Sequence, residues 1–282
     1  MKLFISYLLL FFSSLAIAKQ FQAPLTNTQW QVLESPLECV LSQPIEGFGE
    51  ARFTQRAGES FSLVFITHSH PAVEGFSYFE IAEAPWQNIE QRLSLVVAPI
   101  KSNQMQFSIK GKSAKQALTH MEEGRFPTLR YRSDSKREEI SALFSTVHLN
   151  DSMPAFKQCL ENLYPDSFDD IRKLTVYFEL ENSALGSQAK ASLTKIADYI
   201  KVDSSVKRIN IDGYTDNHGR RRLNIELSEA RALSIKNYLV TECNLPEHLI
   251  TTAFHREFKP AKTNKTQKGR AYNRRSEIEV FK

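Results

Sequence analysis

The chain has 282 residues, with 36 Lys and Arg against 32 Asp and Glu, a formal net charge of +4. That length holds one large or two ordinary domains. A small positive excess with no long basic block argues against a dedicated nucleic-acid binder, which would cluster its charge, and is compatible with a partner carrying scattered acids.

The N-terminus reads Met1-Lys2 and then an apolar run from Leu3 to Ala18. Ala16-Ile17-Ala18 places small residues at the two positions a signal peptidase reads. A membrane span needs about 20 apolar residues, and this run is shorter and interrupted by Ser6, Ser13 and Ser14. Residues 1–18 are therefore expected to be a secretory signal peptide, with the mature chain starting near Lys19 and no transmembrane segment after cleavage. The first cysteine is Cys39, too far on for a lipid anchor. Three cysteines, Cys39, Cys159 and Cys243, leave one over in an oxidising compartment. Cys243 shares a helical face with Ala232, Ile235 and Leu239 and is expected to be a buried thiol. That pairs Cys39 with Cys159, a closure worth on the order of 4 kcal/mol. No Cys or His pair has ligand spacing, so no metal is expected. His68 and His70 are read as solvated loop or edge residues.

Residues 19–162 are rich in β-formers broken by Gly47, Gly49 and Gly58. Strands are expected at 51–55, 60–66, 77–81, 93–97, 106–109, 128–131 and 145–149. Their short intervals imply a mainly antiparallel sandwich or barrel. One helix is expected over 113–123, stopped by Gly124, and a short helical turn over 153–160. There is no nucleophile elbow, Cys–His pairing or phosphate loop, so no catalytic residue, cofactor or enzymatic activity is expected.

Residues 160–170 are polar and broken by Pro165, which sets a second domain at 163–282. A strand is expected at 174–178, then a helix at 187–201 with the stripe Leu193, Ile196, Ala197 and Ile200. Ile209 and Ile211 alternate with Asn210 and Asp212 as in a half-buried strand. Gly213 is expected to let the backbone leave the sheet. Asp216, Asn217 and Gly219 are turn residues, and Ser228 is a candidate N-cap for the next helix. A strand at 250–254, a polar loop at 259–268 and a closing strand at 277–281 complete an α/β sandwich with a mixed sheet. In this arrangement Asp216 ends the strand, Arg231 lies in the first helical turn, and Asn224 sits between them. A carboxylate, an amide and a guanidinium at one rim suit a zwitterion: the carboxylate meets an ammonium and the guanidinium a carboxylate. The plain alternatives are a turn aspartate and a solvated arginine. The basic turn of His218 and Arg220–Arg222 fits an anionic polymer or a solvated run equally.

Thr215-Asp216-x-x-Gly219, Asn224, Leu227-Ser228-x-x-Arg231-Ala232 and Gly269-Arg-Ala-x-Asn273-Arg274-Arg275 resemble the signature of OmpA-like peptidoglycan-binding domains. That family holds the diaminopimelate of the wall peptide. The resemblance implies that Asp216 and Arg231 take its amine and carboxylate, with Asn224 and Arg274 in support. Two departures stand out: Glu179 replaces a common Asp, and Tyr214 a common His. Trp30, Glu34-Ser35-Pro36, Cys39, Phe48-Gly49-x-Ala51-x-Phe53 and Glu123-Gly-Arg-Phe-Pro-Thr128 with Tyr131 resemble the amino-terminal domain of the MotY family, in which Cys159 falls at the second cysteine. The resemblance implies a periplasmic T-ring component of the flagellar motor, with the basal body, a partner ring protein and stator units as partners. The other class of function is a general envelope-stability protein that binds peptidoglycan without the flagellum.

Overall fold

The computed structural model describes residues 18–26, 28–87, 91–134 and 138–282. The expected signal peptide, apart from Ala18, lies outside them. The chain divides into two units. One comprises the chain up to Glu34, Cys39–Gln55 and Ser60–Glu161, and the other Ser35–Glu38, Arg56–Glu59 and Asn162–Lys282.

The first unit is built on two five-stranded sheets. Its strands are β1 (Ala18–Gln22), β2 (Gln31–Glu34), β3 (Glu38–Ile45), β4 (Gly49–Arg56), β5 (Ser62–Thr67), β6 (Gly75–Ala82), β7 (Arg92–Ile100), β8 (Gln106–Lys110), β9 (Phe126–Arg132) and β10 (Glu139–Leu143). One sheet runs β2-β3-β4-β5-β8 and the other β1-β10-β9-β6-β7. The β1–β10 pair is parallel, an exception in a mainly antiparallel unit. Alternation puts Phe53, Leu63 and Phe65 on one inner face and Phe79, Leu129 and Tyr131 on the other, all buried. Rings meet across the gap: Phe65 lies 6.2 Å from Phe79 and Phe107 4.4 Å from Tyr131. Each such buried ring contributes roughly 2 kcal/mol. Helices α1 (Lys112–Glu122) and α2 (Leu149–Asn162) complete the unit.

Three expectations for this unit are corrected. Residues 145–149 form no strand. Buried Gln43 donates to the Ser145 carbonyl (3.1 Å) and accepts from its N–H (3.0 Å), so a side chain does what a neighbouring strand would have done. His148 then takes a left-handed φ of 60° and α2 begins at Leu149. That start is earlier than expected and puts Pro154 at the sixth helical position, past the first turn, where its ring forgoes one intrahelical hydrogen bond. His70 is half-buried rather than freely solvated: its ring lies 4.8 Å from that of Phe21 and Nε2 is 3.1 Å from the Gly47 carbonyl. His68 is exposed, as expected. Cys39 and Cys159 form a disulfide and Cys243 is free and buried.

The second unit contains the short α3 (Phe168–Ile171), β11 (Lys173–Tyr177), α4 (Ser187–Val202), β12 (Arg208–Gly213), α5 (Arg221–Asn237), β13 (Ile250–Phe254), α6 (Gln267–Asn273) and β14 (Arg275–Phe281). The sheet order is β11-β14-β12-β13; β12 and β13 are parallel and the other pairs antiparallel. Its core joins Leu193, Ile196, Ala197 and Ile200 of α4 and Ala232 and Ile235 of α5 to Ile209, Ile211, Ile278 and Val280 of the sheet.

Two details of this unit differ from expectation. Gly213 is still in the strand, and what it supplies is closeness: a Cβ there would meet the Ser228 carbonyl oxygen at 2.0 Å. Helix α5 starts at Arg221, so Ser228 is no N-cap. Gly219, at φ 92°, ends the turn, and the good helix formers from Arg221 to Leu227 continue straight into the helix. The Ser228 hydroxyl instead donates to the Ile225 carbonyl at 3.0 Å.

Candidate functional site

The end of β12 places Asp216 in a tight turn. Its Oδ1 accepts the His218 N–H at 3.0 Å, which fixes the carboxylate, and Oδ2 accepts from Arg274 Nη1 at 3.1 Å. Arg274 follows α6 directly and also donates from Nε to the Phe178 carbonyl at 3.2 Å. Asn224, in the first turn of α5, reaches the Asp216 carbonyl with Nδ2 at 3.4 Å.

Arg231 lies in the third turn of α5, not the first, and is 0% exposed. Three backbone carbonyls hold it: Nε donates to Asn182 (3.0 Å), Nη1 to Tyr214 (2.9 Å) and Nη2 to Glu179 (3.1 Å). The guanidinium also lies 5.2 Å from the Phe178 ring centroid. Burial pushes its pKa down to about 10, with the neighbouring Arg274 adding to the shift and Asp216 opposing it. It remains a cation at neutral pH, and three carbonyls leave part of its donor fork unspent.

The structure brings all four expected residues, Asp216, Asn224, Arg231 and Arg274, to the wall of one cavity of about 610 Å³. Leu180, Leu223, Leu227 and Ala230 line it too. Leu180 is 62% and Leu223 55% exposed, and the exposed Glu181 and Glu226 line the cavity beside them, so its lip is aliphatic and acidic together. Charged groups at the floor and aliphatic groups at the lip accommodate an amino-acid head on a hydrocarbon stem. Asp216 is not an isolated carboxylate: an incoming ammonium would join an existing ion pair with Arg274, itself largely buried.

Sequence reasoning missed the segment 178–182, which threads its carbonyls onto Arg231 and Arg274. Backbone carbonyls carry no residue identity, so no motif marks them. Among the described residues, no group of three or more His, Cys, Asp or Glu is placed to hold a metal ion. No helix among them is long and apolar enough to cross a membrane.

Residues 21–165 match the MotY N-terminal domain family and residues 177–274 the OmpA family. All four site residues fall within the second match. The sodium-type flagellar protein MotY of Vibrio parahaemolyticus is 29% identical over 267 residues, which is 94% of this chain and 91% of that one. The outer membrane protein Omp38 of Acinetobacter baumannii is 38% identical over 103 residues, 36% of this chain and 29% of its own length. Among solved structures, the peptidoglycan-associated lipoprotein from Burkholderia pseudomallei has a TM-score of 0.36 at 24% identity, covering 38% of this chain and 89% of that one.

Proposed function

The chain belongs to the MotY N-terminal domain family and carries an OmpA family domain behind it, and on that premise we propose that it is a periplasmic structural component of the flagellar motor that anchors to peptidoglycan. The observation that carries the reading is the cavity of the second unit, where Asp216, Arg274 and Arg231 converge below the exposed side chains of Leu180 and Leu223. Diaminopimelate of the stem peptide matches it group by group. Its ammonium joins Asp216, its carboxylate meets the spare donors of Arg231, and its methylenes lie along Leu180 and Leu223. The polar groups of the cavity are spent on binding, so the reading is non-enzymatic.

The first unit then serves as the docking part, for the basal body and a partner ring protein, in a T-ring that recruits or steadies stator units. A stator must not turn with the rotor, so the assembly must grip something rigid, and the wall is the rigid material at hand. One small cavity gives modest affinity. Repeated around a ring, it gives avidity orders of magnitude higher.

The test is co-sedimentation of the purified protein with peptidoglycan sacculi, beside a swimming assay of a deletion strain. Retention of the wild type on sacculi, loss of retention in Asp216→Asn, and loss of swimming in the deletion are expected. Normal swimming together with detergent sensitivity would replace the motor reading by a general envelope role. Undiminished retention of Asp216→Asn would remove the cavity from the argument.

A further inference from the structure

The positive charge of the chain is concentrated. From His255 to Arg275 there are eight Lys and Arg residues and one acid, Glu257, so this stretch alone exceeds the +4 of the whole chain. It escapes notice as a basic block because Lys259, Lys262, Lys265 and Lys268 come at every third residue, among Thr, Asn, Gln, Pro and Ala. All four lysines are exposed, and among the described residues none has an acid at ion-pair distance.

The backbone beneath them is fixed. The Asn273 side chain accepts from the Lys262 N–H (2.9 Å) and donates to the Lys262 carbonyl (2.8 Å) and to Asn264 Oδ1 (2.8 Å). Arg270 donates to the Asn264 carbonyl and Arg275 to the Lys259 carbonyl. The segment is also tied to the cavity. The N–H of Thr215, a cavity residue, donates to the Arg256 carbonyl at 2.8 Å, and Arg274 lies in sequence between Asn273 and Arg275, two of the residues that pin the segment. Phe254 and Phe258 are about half exposed there, and the Arg256 guanidinium sits 4.3 Å from the Phe258 ring centroid.

We propose that the segment from Phe254 to Lys268 is a second contact surface for the wall polymer. Its lysines meet carboxylates of stem peptides next to the one seated in the cavity, and Phe254 and Phe258 offer ring faces to the sugars. The inference rests on the wall-binding reading of the cavity. Two observations carry it. An unpaired cationic row is complementary to a polymer rich in carboxylates, and the row's segment is hydrogen-bonded to Thr215 and pinned by the sequence neighbours of Arg274, both of them cavity residues. The cavity supplies selectivity for one residue, and the row supplies a hold that depends on ionic strength.

The experiment uses the full chain with the cavity untouched. Lys259→Gln, Lys262→Gln and Lys265→Gln are combined, with Phe258→Ser made separately. Sacculus co-sedimentation is measured across a salt series, and affinity for free diaminopimelate by calorimetry. Wild-type retention should fall as salt rises. The triple variant should bind sacculi about tenfold more weakly at low salt, with a flatter salt dependence, and bind free diaminopimelate as the wild type does. Phe258→Ser should weaken retention on sacculi at every salt concentration. Retention and salt dependence unchanged in the triple variant would overturn the inference and leave the cavity reading intact. So would a variant that loses binding to phosphatidylglycerol vesicles but not to sacculi, which would assign the row to a lipid surface. A wild type that binds neither sacculi nor diaminopimelate would overturn both.

Discussion

Asp216 and Arg231 were paired in the sequence as two ends of one clasp, yet the structure holds them in different ways. Asp216 is tied by one backbone N–H and one arginine, whereas Arg231 is a keystone under three carbonyls. Arg231→Ala is therefore expected to lower stability by about 3 kcal/mol, since it leaves buried acceptors without donors. Urea denaturation measures this, and loss of wall binding in that variant alone would not separate folding from recognition. Asp216→Asn keeps the turn and removes the charge, so it should keep most of the stability and lose retention on sacculi by tenfold or more, roughly the worth of one charge-assisted contact. In the first unit, Glu80 is a buried carboxylate whose burial raises its pKa, but bonds from Arg130 and Arg92 outweigh this and bring it below its ordinary value of 4.5. A depressed carboxylate contributes stability that is present above the unfolded value and lost as pH falls through the folded one. Glu80→Gln should thus flatten the acid limb of stability below about pH 4.5, read as the denaturation midpoint against pH.

Elements differ in how much of them the sequence exposes. Helices α1 and α4 were legible almost to the residue, because a stripe and a terminating glycine or preceding Gly186 mark them. The strands β12 and β14 were legible from their two-residue alternation, and β13 as a short run of β-formers. The start of α5 was not, since Ser228 has the chemistry of a cap and nothing local says that the helix already runs through it. What decides the matter is packing, in which Ser228 must lie against Gly213. Gly213→Ala should therefore force β12 and α5 apart and cost about 2 to 4 kcal/mol, visible in the melting of the second unit. The helix α6 fell between the expected polar loop and the closing strand, sharing only residues 267–268 with the loop, and went unread because it is only 7 residues long and has no apolar stripe; its mark is Thr266, whose hydroxyl accepts from the Gly269 N–H. The strands β1, β2, β3 and β10 were missed because each is short or carries polar residues and Pro44, and β1 becomes a strand only by pairing with β10, far along the chain.

At the scale of the whole molecule, two β-based units and the gathering of four named residues in one cavity were readable, because motif order survives folding. The cationic row was not, because the whole-chain balance of +4 averages it away. The cysteines were readable by elimination, and their bond makes a further test. Cys39 and Cys159 close a separation of 120 residues, worth on the order of 4 to 5 kcal/mol through the unfolded chain. Reductant, or Cys159→Ser, should lower the melting temperature of the first unit, measured by scanning calorimetry.

That bond also bears on how a tug would travel. The last of the chain's passages between the two units is at Glu161 and Asn162, just beyond Cys159 near the end of the 14-residue α2. Were the sulfurs unlinked, traction on this one passage could unwind that helix and pay out roughly 25 Å of slack. With the sulfurs joined, the load passes after a few residues into β3, a strand braced on both sides by neighbours in its sheet. A tether made this way yields little before it holds.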